Sequence, residues 1–263
     1  MAGPCWCELP APHDSQAGTP GCRGAPPPGG GASETRGGPT HGGARKGPQA
    51  GLPGEGVSRK GCNSSGSGEA DLLMHVNLAR TLSRSSANGP GERFVLWTQG
   101  CTLACPGCWN PDTWPFVRRE LREVAALADE ILAVEGIEGV TFTGGEPFAQ
   151  ARALAAIAER VRRKGLSVVV FTGYDLAELT SHDAQRLLAQ VDLLVAGRYR
   201  QEERLDGSLL LGSSNQRLHF LSTRYSPVDL QTLPGVELFI GNDGAIVATG
   251  FPDTELLAST TTV

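Results

Sequence analysis

The chain has 263 residues, enough for one large domain or two small ones. Its formal net charge of −5 excludes the basic footprint of a nucleic-acid-binding protein. No apolar run reaches the roughly 20 residues that a membrane-spanning helix needs, so we expect neither a nucleic acid nor a membrane as a partner. Because the N-terminus lacks the apolar core of a signal peptide, the seven cysteines are interpreted as thiols in a reducing, cytoplasmic compartment.

Residues 1–70 differ in composition from the rest of the chain. They hold 18 of the 35 glycines and 10 of the 18 prolines, and they contain no Ile, Phe or Tyr. Such a stretch cannot bury enough apolar surface to offset its ordering entropy, which predicts a disordered tail ahead of a folded domain over residues 71–263. Met74 lies where the folded pattern begins, so translation from Met74 is an alternative. The four cysteines of this stretch are interpreted as exposed thiols: Cys5, Cys7, Cys22 and Cys62.

From Asp71 onward, β-rich and helical segments alternate, which predicts an α/β fold with a parallel sheet. The predicted elements, in chain order, are strand 94–98, helix 118–134, strand 140–143, helix 148–164, strand 167–172, helix 181–190, strand 191–196, and strands 237–240 and 245–249. Gly165 is a candidate C′ residue of the second helix, and Ser181 or Thr180 a candidate N-cap of the third. Residues 241–244 read Gly-Asn-Asp-Gly, which favours a hairpin turn. Five or six strands are too few for a closed eight-stranded barrel of about 250 residues.

The loop after the first predicted strand contains three cysteines within eight residues, Cys101, Cys105 and Cys108, and no cysteine follows them. Thiolates are the preferred ligands of iron–sulfur clusters and of structural zinc. A closed structural zinc site uses four protein ligands. Three cysteines therefore predict a cubane cluster that keeps one iron open for a substrate.

The spacing C-x3-C-x2-C resembles that of the radical S-adenosylmethionine (SAM) superfamily, and the run Gln99–Trp114 resembles the cluster loop of activases for anaerobic ribonucleotide reductase. The resemblance implies a partial, open (β/α)6-type barrel and a [4Fe–4S] cluster held by the three cysteines. It also implies that SAM chelates the open iron, and that one-electron reduction yields a 5′-deoxyadenosyl radical that abstracts hydrogen from the target. Trp109 would bind the adenine or shield the cluster; simple packing is the alternative.

A second motif, Thr-Gly-Gly-Glu-Pro, ends the next predicted strand at residues 143–147. Two glycines allow a close approach of the backbone to a ligand, and their carbonyl groups, with the carboxylate of Glu146, can accept hydrogen bonds from an ammonium group. Alone, this motif could be only a strand-to-helix turn. Beside a cluster loop, it resembles the element that binds the amino group of SAM, and Thr172–Asp175 resembles a further family motif. The candidate cofactor-binding residues are Trp109, Thr143, Gly144, Gly145, Glu146, Pro147 and Thr172.

Residues 197–216 form a long loop rich in Gly, Ser and Arg, and such length is typical of functional loops. Within and just after it, Gly212–Arg217 reads G-S-S-N-Q-R, which resembles a signature of the reductase activases; a polar loop that caps a strand is the alternative. Two residues depart from the family pattern, since Ala196 stands in place of an acidic residue and Glu146 in place of Asp. These departures leave the protein partner open.

The favoured hypothesis is a cytoplasmic activase that installs a glycyl radical on a separate enzyme such as anaerobic ribonucleotide reductase, with electrons from a low-potential donor such as flavodoxin. The first alternative is a radical SAM enzyme that modifies a peptide or a small metabolite. Many peptide modifiers carry further cysteines for auxiliary clusters, so the lack of any cysteine after Cys108 favours the activase. The second alternative, a non-enzymatic iron–sulfur protein, leaves the motif at residues 143–147 unexplained.

Overall fold

The computed structural model describes residues 74–207, 210–240 and 246–251. The predicted tail over residues 1–70, with its four cysteines, and the predicted turn at residues 241–244 lie outside the described residues. No helix in the described part of the chain has both the length and the apolarity to cross a membrane.

Nine strands and three α-helices make up the described part of the chain. They are β1 (His75–Ser85), β2 (Arg93–Thr98), β3 (Glu120–Glu123), α1 (Val124–Ala133), β4 (Gly139–Gly144), α2 (Ala151–Arg162), β5 (Ser167–Thr172), α3 (His182–Leu188), β6 (Leu193–Ala196), β7 (Arg217–Phe220), β8 (Val236–Ile240) and β9 (Ile246–Gly250). Short 3₁₀ turns occur at Pro111–Thr113, Pro147–Gln150, Leu176–Glu178, Gln201–Glu203 and Pro227–Leu230.

Seven of the strands form one mixed sheet in the order β3-β1-β2-β4-β5-β6-β7. The four central strands β2, β4, β5 and β6 are parallel, which confirms the predicted α/β class, although the sheet as a whole is mixed and not purely parallel. Strands β1 and β3 on one side and β7 on the other are antiparallel to their neighbours. Strands β8 and β9 form a separate antiparallel pair. Because the four central strands run the same way, the loops that follow them gather at one edge of the sheet.

The parallel strands are buried on both faces, as continuous apolar runs predict. Leu96, Phe142, Val170 and Leu194 lie in register across the four strands and belong to a core that includes the apolar faces of α1, α2 and α3. On the opposite face, Val169 and its neighbours on β6 pack against residues from the later loops, among them Leu210, Tyr225 and Leu230. The helices therefore cover one face and the loops after β6 cover the other.

The helix predicted over residues 118–134 is shorter than expected, because its first part is a strand. Glu120–Glu123 pairs antiparallel with β1, and α1 begins only at Val124. The alternating Glu-Leu-Arg-Glu sequence suits either conformation, and the free edge of β1 offers backbone partners that an isolated helical turn lacks. Strands β1 and β7 were likewise not predicted. The helix predicted from residue 148 begins as a 3₁₀ turn and becomes α-helical at Ala151.

Two predicted helix caps are confirmed. The side chain of Ser181 accepts a hydrogen bond from the backbone N–H of Ala184 at the start of α3. Gly165 follows α2 with φ +85°, in the left-handed region that favours glycine, and its N–H donates to the carbonyl of Arg162.

Candidate active site

The cysteine loop begins after the carboxyl end of β2, and its start is hydrogen-bonded to the short turn that follows the loop. Backbone N–H groups of Gly100 and Cys101 donate to the carbonyl groups of Thr113 and Trp114 at 2.7 and 3.0 Å. Pro111 begins this 3₁₀ turn, where a missing N–H costs nothing. The first residue of the eight-residue motif is thus hydrogen-bonded to the residue that follows the turn, which closes the loop between them.

The conformation of the loop directs backbone donors at a thiol. Ala104 has φ +44°, in the left-handed region that costs an L residue roughly 1–2 kcal/mol. The backbone N–H groups of Leu103 and Ala104 donate to Cys101, and that of Tyr199 donates to Cys105. Burial raises the pKa of both thiols above the usual value, and these donors oppose the rise. Such donors also stabilise a metal-bound thiolate, because they supply positive partial charge.

The three cysteines line one cavity of about 120 Å³, with the ends of β4 and β5 on its other side. No other cysteine occurs in residues 74–263. Within the described ranges, no group of three or more His, Cys, Asp or Glu side chains is arranged around a single metal ion. A cubane cluster binds each cysteine through a different iron, so three thiols that line the same cavity fit such a cluster.

The two glycines of the 143–147 motif are required by the packing of this motif on β2. A Cβ at Gly145 would lie 2.4 Å from the carbonyl oxygen of Gly100, and a Cβ at Gly144 would lie 2.6 Å from the backbone nitrogen of Thr98. Gly144 also has φ +99°, which an L side chain rarely adopts. The two glycines therefore allow a close approach to the chain's own backbone, at the residues that precede the cysteine loop. The N–H of Glu146 adds a hydrogen bond to this contact, since it donates to the carbonyl of Gly100 at 2.9 Å.

The carboxylate of Glu146 is buried and joins the ends of β4 and β5. Its Oε1 accepts hydrogen bonds from the N–H of Phe148 and the hydroxyl of Thr172, and its Oε2 accepts one from the N–H of Gly173, all at 2.9 Å. Burial raises the pKa of this carboxyl to about 7, although the same three hydrogen bonds lower it. Protein donors thus already use three acceptor positions of the carboxylate that the sequence assigns to the ammonium group of SAM.

A larger cavity of about 590 Å³ adjoins the cysteine cavity. Five residues line both cavities: Cys108, Thr143, Phe171, Tyr199 and Gln216. Trp109 lines only the larger one, where its ring lies 5.4 Å from that of Phe251 and 6.4 Å from that of Tyr199. The guanidinium group of Arg204 lies 5.0 Å from the Trp109 ring centroid. Trp109 is therefore packed between side chains from the 197–216 loop and the end of β9.

The G-S-S-N-Q-R segment folds the 197–216 loop into a wall of this cavity. Gln216 accepts hydrogen bonds from the N–H groups of Gly212 and Ser213, and its amide donates to the carbonyl of Gly197. The fully buried Ser213 accepts a hydrogen bond from the backbone N–H of Arg200. These contacts hold Tyr199 and its neighbours against the cysteine loop.

Most of the residues that sequence reasoning singled out lie together. The three cysteines, Thr143, Gly144, Gly145, Glu146 and Thr172 line the smaller cavity. Trp109 lines the larger one, and Pro147 is buried at the start of a 3₁₀ turn and lines neither. Sequence reasoning did not single out Tyr199, Phe171 or Phe251. The length of the 197–216 loop was the available signal for Tyr199, but no motif marks either phenylalanine.

Several known proteins and one protein family match this chain. The model of a "4Fe-4S single cluster domain" family matches residues 87–219. An anaerobic ribonucleoside-triphosphate reductase-activating protein from Pasteurella multocida is 34% identical over 154 residues, which cover 55% of this chain and 97% of the relative. The chain belongs to the family of anaerobic ribonucleoside-triphosphate reductase-activating proteins. The protein of the same name from Escherichia coli K12 is 32% identical over 145 residues, which cover 51% of this chain and 92% of the relative.

A second kind of radical-generating activase also matches the chain. A pyruvate formate-lyase-activating enzyme from Staphylococcus epidermidis is 36% identical over 107 residues, which cover 38% of this chain and 42% of the relative. The chain is thus a radical SAM activase, and a [4Fe–4S] cluster and SAM are its cofactors. The solved structure of E. coli QueE aligns with a TM-score of 0.35 and 18% identity over 41% of this chain and 58% of that chain, a likeness too low to show a shared fold.

Proposed function

We propose that Cys101, Cys105 and Cys108 hold the [4Fe–4S] cluster and that the chain installs a glycyl radical on a separate enzyme, anaerobic ribonucleotide reductase. The observation that supports this most directly is the shared cavity of the three thiols, which opens to the ends of β4 and β5. When bound, the cluster and SAM supply the one-electron cleavage that yields a 5′-deoxyadenosyl radical. We also propose that the sheet curves into a partial, open (β/α)6-type barrel.

The chain's own residues have distinct roles in this proposal. The cysteine thiols lose their protons to bind iron, and the N–H groups of Leu103 and Ala104 then stabilise the thiolate of Cys101. Backbone carbonyl groups at the end of β4 accept hydrogen bonds from the ammonium group of SAM. Glu146 holds the end of β5 beside them and adds negative charge when it is ionised. The aromatic walls of the larger cavity keep water from the reacting atoms.

Two further assignments complete the proposal. The electron comes from a low-potential donor such as flavodoxin, because cleavage of SAM consumes one electron that no other described group supplies. The site of action is the cytoplasm, since an oxygen-sensitive cluster needs a reducing compartment.

The ligand assignment is tested by anaerobic reconstitution with iron and sulfide. We expect about four irons per chain and an EPR spectrum of the reduced cluster that changes when SAM is added. Cys105→Ala should lose both, whereas Cys62→Ala, the same change in the Gly- and Pro-rich stretch over residues 1–70, should lose neither. Full iron content in Cys105→Ala, or an EPR spectrum that does not respond to SAM, would contradict the assignment.

The target is tested by mixing the reduced, SAM-loaded protein with the anaerobic ribonucleotide reductase of the same cell. We expect the EPR doublet of a glycyl radical on the reductase and only slow SAM cleavage without it. Turnover of a peptide or a small metabolite in place of the doublet would establish the first alternative function.

A further inference from the structure

The side chain of Gln150 joins two parts of the sheet that are not neighbours. Gln150 ends the 3₁₀ turn that follows the 143–147 motif at the end of β4. Its Oε1 accepts a hydrogen bond from the N–H of Asn77 on β1 at 2.7 Å, and its Nε2 donates to the carbonyl of Asn77 at 2.8 Å. Because β2 lies between β1 and β4 in the sheet, this amide passes the end of one strand to reach the next.

The same amide fixes the residue that leads into the cysteine loop. Nε2 of Gln150 also donates to the carbonyl of Gln99 at 3.2 Å, and the N–H of Gln99 donates to the carbonyl of Asn77 at 2.9 Å. The buried side chain of Gln99 donates to the carbonyl of Pro115, which follows the loop, at 2.7 Å. The side chain of Asn77 forms hydrogen bonds with the backbone of the segment 117–119. The chain before the loop and the chain after it are therefore both held at the position that Gln150 contacts.

Gln150 holds the second end of a turn whose first end carries the proposed SAM-binding groups. At the first end, the N–H of Gly145 donates to the carbonyl of Thr98 at 2.8 Å, next to the hydrogen bond between Glu146 and Gly100. A turn that is bonded at one end only can pivot about those bonds, whereas a turn that is bonded at both ends keeps one orientation. Gln150 therefore fixes the orientation of this turn relative to the residues that precede the first cysteine.

This orientation matters because SAM spans the two segments in the proposed function, on which the inference rests. Its ammonium group binds at the end of β4, and the cysteine loop holds the cluster. A displacement of about 1 Å between reacting groups costs on the order of a hundred-fold in rate. We propose that Gln150 is a positioning residue that sets the SAM-binding turn against the cysteine loop. Gln150 lines neither cavity, so it acts through the backbone that it holds and not by contact with SAM.

The substitution Gln150→Met tests the inference, because it keeps the length of the side chain and removes the amide. We expect the rate of SAM cleavage per cluster to fall about ten- to a hundred-fold, while the affinity for SAM changes by less than about three-fold, since the groups that bind SAM remain. A purely structural residue would lower the yield of iron-containing protein and leave the rate per cluster unchanged. The rate is measured with dithionite as the reductant and without the reductase, and SAM affinity is measured by equilibrium binding.

Two further readouts do not depend on activity. At equal iron content, amide hydrogen exchange at Asn77 and Glu146 should be about ten-fold faster or more in Gln150→Met, because the N–H of Asn77 loses its acceptor and the turn loosens. SAM should still change the EPR spectrum of the reduced cluster, but to a different final spectrum. Gln185→Met is the matched control, because this amide also donates to a backbone carbonyl, that of Leu179, and lines neither cavity. The control should leave the rate, the exchange and the spectrum unchanged.

Gln150→Glu is the second variant, in case Gln150→Met binds too little iron. It keeps an acceptor for the N–H of Asn77 and loses the donations to two carbonyl groups, so the rate per cluster should fall in the same direction.

An unchanged rate per cluster at equal iron content overturns the inference, as does an equal fall of the rate in Gln185→Met. A loss of SAM affinity as large as the loss of rate also overturns it, because Gln150 would then support binding and not orientation. Loss of iron in both Gln150 variants overturns it as well, since the role would be purely structural. Failure of the proposed function is separate, because it is read from the absence of a glycyl radical on the whole reductase with the unsubstituted protein.

Discussion

At the residue scale, Glu146 makes a pH-dependent contribution to stability that is unusual for a carboxylate. Its pKa is about 7 in the folded protein because of burial, against an ordinary value of 4.5. The unfolded chain therefore releases this proton at a lower pH than the folded protein does. Stability that is present at about pH 4.5 is lost as the pH rises to about 7, by roughly 3 kcal/mol at most.

The substitution Glu146→Gln should remove this pH dependence, because the amide does not titrate. At about pH 7 the substitution should also lower stability by about 1–3 kcal/mol, since the amide NH2 cannot accept the hydrogen bond from Gly173 or Phe148 that it would face, and the difference should grow as the pH falls. Urea unfolding of protein with equal cluster content, at a series of pH values from 4.5 to 7.5, measures both effects. Glu135→Gln, at an exposed carboxyl, is the control. Parallel stability curves for Glu146→Gln and the unsubstituted protein would show that Glu146 does not titrate in this range.

At the element scale, one carboxylate anchors the β8–β9 pair to the sheet. Glu237 on β8 accepts hydrogen bonds from the hydroxyl of Ser85, from the N–H and hydroxyl of Ser86, and from the N–H of Ala87. The end of β9 leads to Phe251, which packs on Trp109. Glu237 pairs with Thr249, two residues before Phe251, so the wall of the larger cavity depends on contacts at the same end of a two-stranded element that is marginally stable by itself.

The substitution Glu237→Ala should loosen this element without unfolding the sheet. We expect amide hydrogen exchange in β8 and β9 to accelerate about ten-fold or more, with β4 and β5 unchanged, because opening would be local. Thr249→Val, which removes the hydroxyl that accepts from Asn88, should give a smaller change of the same kind. A uniform acceleration across the sheet, or none, would show that Glu237 does not act as a local anchor.

The elements that the sequence predicts well are those whose pattern has one physical solution. The apolar run at residues 167–172 suits only a strand buried on both faces, and the structure has β5 there. Edge strands are harder, because Glu120–Glu123 becomes a strand only through its pairing with β1. The residues of the site also differ in how well the sequence predicts them. Cysteines and glycines in fixed spacing are visible in the sequence, whereas Phe251 reaches Trp109 only through the tertiary fold.

At the scale of the whole molecule, the chemistry that we assign requires only the part of the chain from Met74 onward. The three cluster cysteines, both cavities and the family match over residues 87–219 all lie there. The composition of residues 1–70 predicts little contribution to a core. Removal of residues 1–68 should therefore leave iron content, the EPR response to SAM and SAM cleavage unchanged.

The thermal midpoint of the shortened protein should stay within about 2 °C of that of the full chain, which corresponds to less than about 1 kcal/mol for a domain of this size. Iron analysis and a thermal scan of the two proteins, reconstituted side by side without oxygen, measure these quantities. Replacing the four cysteines of residues 1–70 by serine in the full chain separates their effect from that of the missing residues. If iron is lost in both altered proteins, a cysteine of that stretch binds metal and the three-cysteine assignment is incomplete. If it is lost only on truncation, residues 1–68 support the cluster by contacts other than thiols.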